Sequence, residues 1–185
     1  MIEMQNRYRD TVRALSERIC EAAESIDTDS LGSFVELILS KRKIFIYGSG
    51  RSGLVGQYFA VRLVQLGLDV HFVGDMTTPI IGKEDLTVLI SNTGETMSAV
   101  QTANIARRLG SHVVSVTATK NSKLAHASNS VILINLPPSA DGNLLPLGTL
   151  FEDSAILMFD AIIPELMKRM GQSEDDMRHK HAIWV

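Results

Sequence analysis

The first apolar pattern along the chain is a narrow one. Tyr8, Val12, Leu15, Ile19, Ala22 and Ile26 recur at steps of 4, 3, 4, 3 and 4 in an otherwise polar stretch, the spacing that keeps one seam on a helix. Such a seam fits either a helix packed on its own domain or an arm laid against a helix of a second subunit. A second helix is predicted behind Asp27 or Asp29 as N-cap, with Leu31, Phe34, Val35, Ile38 and Leu39 on one face. The two make an N-terminal helical pair over about residues 4–40.

From Lys43 the rhythm changes. Short, nearly continuous apolar runs at Ile44–Tyr47, Val70–Val73, Leu86–Ile90, His112–Val116 and Ser130–Ile134 alternate with helical stretches rather than hairpin turns. That pattern predicts an α/β fold: an open, three-layer sheet of five parallel strands with helices on both faces. The helices are expected at Leu54–Leu66, Met97–Leu109 with Gly110 as the stop, a short Ser122–Ala127, and a long last one from Leu150 followed by a tail. Pro164 is expected to kink or interrupt the last helix. Asn135–Pro146 is the least regular segment and holds three of the five prolines, so it reads as a functional loop. A single domain spanning 1–185 accommodates all of this.

Composition narrows the class. A chain of 185 residues buries roughly 70% of its unfolded surface and carries its own core. With 45% apolar and 21% charged residues it is an ordinary globular sequence. Eighteen Lys and Arg against 21 Asp and Glu give a net charge of −3, which argues against a nucleic-acid partner or an anionic membrane surface. Cys20 is the only cysteine, so neither an intramolecular disulfide nor a cysteine zinc site is expected. Gln5–Arg18 is charged throughout, unlike a secretory leader, and no apolar run approaches the ~18 residues of a membrane span. The expected location is cytoplasmic.

Ligands of open α/β sheets bind at the carboxyl ends of the strands, so the chemistry is sought in three loops. The first, Gly48-Ser49-Gly50-Arg51-Ser52-Gly53, joins the first strand to a helix and reads as an anion site. Its glycine spacing also matches a dinucleotide fingerprint, with Asp75 where a ribose acid would stand. Against that reading, Arg51 and the hydroxyls of Ser49 and Ser52 suit a compact monophosphate. A second hydroxyl-rich turn, Ser91-Asn92-Thr93-Gly94-Glu95-Thr96, follows the third strand, and the chain has no room for a separate substrate domain. Two such cups around one crevice fit a phosphorylated polyol. Taken singly, the hydroxyls could instead cap helix ends. In the third loop, Pro146-Leu147-Gly148-Thr149-Leu150-Phe151-Glu152, the Thr149/Glu152 spacing reads as a capping box.

These three motifs, with His181-Ala182 near the end, occur together in an order that resembles the 6-phospho-3-hexuloisomerase family of the sugar isomerase (SIS) group, over essentially the whole chain. The resemblance implies a flavodoxin-like sheet, a homo-oligomer of tetrameric type, and interconversion of 3-hexulose 6-phosphate with fructose 6-phosphate. It implies phosphate binding by Ser49 and the Ser91–Thr96 loop, and Glu152 as the base. Two features depart from the family pattern: Asn92-Thr93 stands where Gly-Ser is usual, and Ile183-Trp184-Val185 replaces the usual Asn-Leu-Glu. The chemistry needs one carboxylate to move a proton between adjacent carbons through an enediol, with no metal and no cofactor. His181, by its residue type alone a solvated tail histidine, becomes under the resemblance the group that moves protons among the hydroxyls. A neighbouring subunit's site is the expected place for it. The rival readings are another phosphosugar aldose–ketose isomerase and a non-catalytic sugar-phosphate-binding module.

Overall fold

In a computed structural model, residues 2–136 and 144–181 are described. The helical pair is α1 (Ile2–Glu24) and α2 (Thr28–Ser40). Of the two candidate caps, Asp27 does the work: its carboxylate accepts from the Ser30 N–H at 2.9 Å and from the Ser30 hydroxyl. The strands are β1 (Ile44–Gly48), β2 (Val70–Phe72), β3 (Leu86–Ile90), β4 (His112–Thr117) and β5 (Ser130–Leu133). All pair in parallel in the order β2-β1-β3-β4-β5. The fold class is as expected, because runs buried on both faces can only be satisfied inside a parallel sheet with helical cover.

The covering helices are α3 (Arg51–Gln65), α4 (Met97–Arg108), α5 (Lys123–Ala127) and α6 (Thr149–Met170). One core lies between the sheet and α2, α3 and α6. There the Phe59 and Phe159 rings stack with centroids 4.0 Å apart. A smaller core of Leu89, Val113, Ala99 and Ala103 lies under α4 and α5 on the other face. The order reverses between β1 and β3, so the loops that follow these two neighbouring strands splay to opposite faces and leave a crevice at their carboxyl ends.

Three expectations need correction. α3 starts at Arg51, three residues before the predicted Leu54. The turn can be this tight because Gly48 has no side chain: a Cβ there would lie 2.6 Å from the Ser52 carbonyl oxygen. Pro164 does not interrupt α6, which runs unbroken to Met170 with Gly171 as its left-handed stop. The residue is on the exposed side of the helix, so its ring displaces nothing in the core. Finally, Ser173–Lys180 contains a further helix, α7 (Glu174–His179), started by a capping box between Ser173 and Asp176. The irregular segment 135–146 falls mostly on 137–143, outside the described residues, as do residues 182–185 of the tail.

The N-terminal seam divides in two. Ala22 and Ile26 are buried, while Tyr8 and Val12, with Met4 before them, are exposed. Leu15 and Ile19 between them are half-buried, so among the described residues the cover on α1, which packs on α6, increases toward its C-terminal end.

Candidate active site

Three loops meet at the crevice. The β1 loop delivers Ser49 and Arg51 exposed and Ser52 buried. Neither serine caps α3: its N-cap is Gly50, with no side-chain bond. Ser52 lies in the first turn, where the helix still presents N–H groups without intrahelical partners.

The β3 loop is held from below by β4. The Asn92 carbonyl accepts from the Ala118 N–H at 3.0 Å and from the Thr117 hydroxyl at 3.1 Å. Within the loop, the hydroxyls of buried Ser91 and of Thr96 lie 3.1 Å apart, and Ser91 Oγ accepts from the Gly94 N–H. Thr96 is the N-cap of α4 by position but makes no side-chain cap bond. The helix-cap alternative for these hydroxyls therefore fails at Ser49, Ser52 and Thr96. Thr93 accepts only from the adjacent Glu95 N–H. Glu95 is committed elsewhere: its carboxylate accepts from the Lys123 N–H at 3.1 Å and pairs with Lys123 Nζ at 2.8 Å. That lysine holds the Glu95 carboxyl below its ordinary range, through hydrogen bonding. Glu95 thus braces the loop against α5.

The third loop overturns the capping box. Gly148, not Thr149, is the N-cap of α6, and the Thr149 hydroxyl turns back to the Pro146 carbonyl at 2.6 Å. Glu152 is free to point into the crevice, where the N-terminal end of the helix favours a carboxylate. It is 8% exposed, and Arg51 Nη2 lies 3.0 Å from its Oε2. The same guanidinium donates through Nη1 to the Leu147 carbonyl at 2.9 Å. Burial pushes the Glu152 carboxyl above the ordinary carboxylate range, and the Arg51 charge opposes that rise without cancelling it. Asp153 is raised for the same reason.

Leu147 and Gly148 were not singled out by spacing, yet they shape the site. Both adopt left-handed backbone, at φ 49° and 79°. A Cβ on Gly148 would lie 3.0 Å from the Asn92 amide nitrogen and 3.2 Å from Glu152 Oε2. The absent side chain is what lets the amide of one loop and the carboxylate of the other approach the same point.

His181 is not brought to this crevice. It lines an open cleft of about 390 Å³ with Arg62, Gln65, Met167 and Met177, against the far ends of α3 and α6. Met167 stands fifteen residues beyond Glu152 on one helix, roughly 20 Å at helical rise. Asp75, the residue weighed for a ribose, is exposed beyond β2. Among the described residues no group of three or more His, Cys, Asp or Glu side chains could hold a metal ion. No helix among them is long and apolar enough to cross a membrane.

The chain is similar over most of its length to known proteins, and its fold recurs among solved structures. A 3-hexulose-6-phosphate isomerase of Methanocaldococcus jannaschii is 35% identical over 154 residues, covering 83% of each chain. One from Bacillus subtilis is 32% identical over 92% of this chain and 95% of its own. A solved structure from Methanococcus jannaschii, for which a 3-hexulose-6-phosphate isomerase function has been inferred, superposes with a TM-score of 0.86 at 31% identity, covering 95% and 99% of the two chains. The SIS domain model matches residues 37–157, from the end of α2 through the first turns of α6, and the chain belongs to the SIS domain family.

Proposed function

We propose that the protein is a sugar-phosphate isomerase that interconverts 3-hexulose 6-phosphate and fructose 6-phosphate. The observation that carries this reading is the buried Glu152 carboxylate, raised in basicity, at the crevice between two hydroxyl-rich phosphate-type loops. The relatives named for that reaction, at 32% and 35% identity, support the choice of sugar.

In the forward direction Glu152 removes the proton from C2 of the 3-ketose, and the electrons of that C–H bond form the C2–C3 double bond of an enediol. The C3 oxygen gains a proton and the C2 oxygen loses one. Glu152 then returns its proton to C3, leaving the carbonyl at C2. One carboxylate over one face serves both carbon steps, and a general base of this kind supplies typically ~10²–10⁴-fold. The Asn92 amide beside it can donate to the developing oxyanion. Ser49, Ser52, Ser91, Thr93 and Thr96, with the Gly94 backbone and Arg51, hold the phosphate through hydroxyls, helix N-terminal N–H groups and one guanidinium. No cofactor is required. His181 enters only if a homo-oligomer, tetrameric in this reading, seats it in the crevice of a neighbouring subunit, because the span along α6 separates it from its own Glu152.

The test is direct: purified protein is given 3-hexulose 6-phosphate, and fructose 6-phosphate is measured by a coupled dehydrogenase assay. Turnover is expected. Binding of the sugar phosphate with no product would leave a sensor module and contradict the reading.

A further inference from the structure

Arg51 occupies a position that phosphate binding alone does not explain. It is the first residue of α3, in the loop assigned to the phosphate, and its side chain is half exposed. Yet its guanidinium is turned across the crevice to α6. There Nη1 donates to the Leu147 carbonyl at 2.9 Å and Nη2 stands 3.0 Å from Glu152 Oε2. Two details mark this as a resting contact. The Glu152 oxygen is buried and, despite the short distance, accepts no aligned hydrogen bond. Leu147 is the only non-glycine residue with positive φ among the described residues, a strained conformation for a bulky side chain that must be held from outside. The Arg51 bond to its carbonyl supplies that hold.

We propose that Arg51 has two positions, and that by moving from Glu152 to the substrate phosphate it couples capture of the sugar phosphate to release of the base. The inference rests on the isomerase reading above and adds an order of events to it. A phosphate carries up to two negative charges and three acceptor oxygens, so it competes for a guanidinium better than one misaligned carboxylate oxygen does. Among the described residues, the charged groups that act on Glu152 are Arg51 from α3 and Asp153 on its own helix, with the uncharged Asn92 amide close by from the β3 loop. Once Arg51 leaves, burial and Asp153 both favour the protonated carboxyl, and the group becomes a stronger base. The free protein thus keeps its base quiet until a phosphorylated substrate is seated. In this scheme Arg51 is a positioning residue for Glu152.

The experiment is a carbon-13 titration of the Glu152 carboxyl, with and without saturating inorganic phosphate, in the wild-type protein and in Arg51→Gln and Arg51→Lys. Occupancy is checked by thermal protection. In the wild type, phosphate is expected to raise the titration midpoint by about one pH unit, the scale set by losing an adjacent opposite charge. In Arg51→Gln the phosphate-free midpoint is expected to be high already and to move little. Arg51→Lys keeps the charge and is expected to recover part of the wild-type response. The pH profiles give a second reading, since kcat/KM reports the free enzyme and kcat the complex: the acid limb should lie lower for kcat/KM than for kcat in the wild type, and the gap should close in Arg51→Gln. Protection by phosphate with an unmoved wild-type midpoint would overturn the coupling and leave the isomerase reading intact. Absence of any phosphate protection would overturn both.

Discussion

At the scale of a residue, Glu152 combines three properties that compete: its carboxyl is buried, raised in basicity and only loosely paired. Burial holds its carboxyl above the ordinary range despite Arg51, so the folded protein binds this proton more tightly than the unfolded chain does. The stability contributed by this group is therefore fully present below the unfolded-state value near ~4.3 and is lost as pH rises through the folded value. Glu152→Gln stays neutral throughout. Its Tm at about pH 7.5 is expected to equal or exceed that of the wild type, with the difference closing toward about pH 4. A variant that melts well below the wild type at neutral pH would show that the ionised carboxylate is a structural partner rather than a base held at a cost in stability. The sequence exposed the residue but not its circumstances. Thr149 and Glu152 have the spacing of a capping box, and only the left-handed Gly148 and the turn of the Thr149 hydroxyl back to Pro146 reveal that the box does not form. The Arg51 contact was illegible for a different reason: it joins two loops far apart in the chain, and no local pattern encodes it.

At the scale of elements, the five strands and most helices were legible because each satisfies its own periodicity and is stopped by a local signal, such as Gly110 after α4 or Ser122 before α5. What escaped was decided by approach rather than period. The early start of α3 follows from the bare Gly48 backbone. The short α7 carries little apolar surface of its own beyond the buried Met177, so no apolar period marks it in the sequence, and its start is fixed by the Ser173 and Asp176 box. α1 is the element with unfinished business. Its seam is continuous in sequence, yet cover fades along it: Ala22 and Ile26 are buried, Leu15 and Ile19 half-buried, and Tyr8 and Val12 exposed. An exposed seam on a long helix is the pattern of a helix that pairs with another. Removing residues before Asp27 is expected to lower the oligomeric state, or to shift its dissociation to higher protein concentration, in sedimentation experiments. The same assembly with unchanged dissociation would assign α1 to its own domain.

For the molecule as a whole, the sheet order puts the loops after β1 and β3 side by side at the point of reversal, and α6 brings a carboxylate to that point from the other end of the sequence. In the proposed reaction His181 enters only from a neighbouring subunit, because within its own chain it lies in a cleft with Met167, far along α6 from Glu152. The central claim is narrower: one carboxylate, Glu152, carries the proton between C2 and C3. It is tested most directly by converting 3-hexulose 6-phosphate in deuterium oxide and following deuterium at C3 of fructose 6-phosphate by NMR, with wild type and Glu152→Gln side by side. The account predicts product from the wild type, with deuterium at C3 in the turnovers in which the proton held on Glu152 exchanges with solvent before it is returned and with the substrate's own proton there in the rest, and a loss of roughly 10²–10⁴-fold in product formation from Glu152→Gln. Product formed by Glu152→Gln within tenfold of the wild-type rate would contradict it.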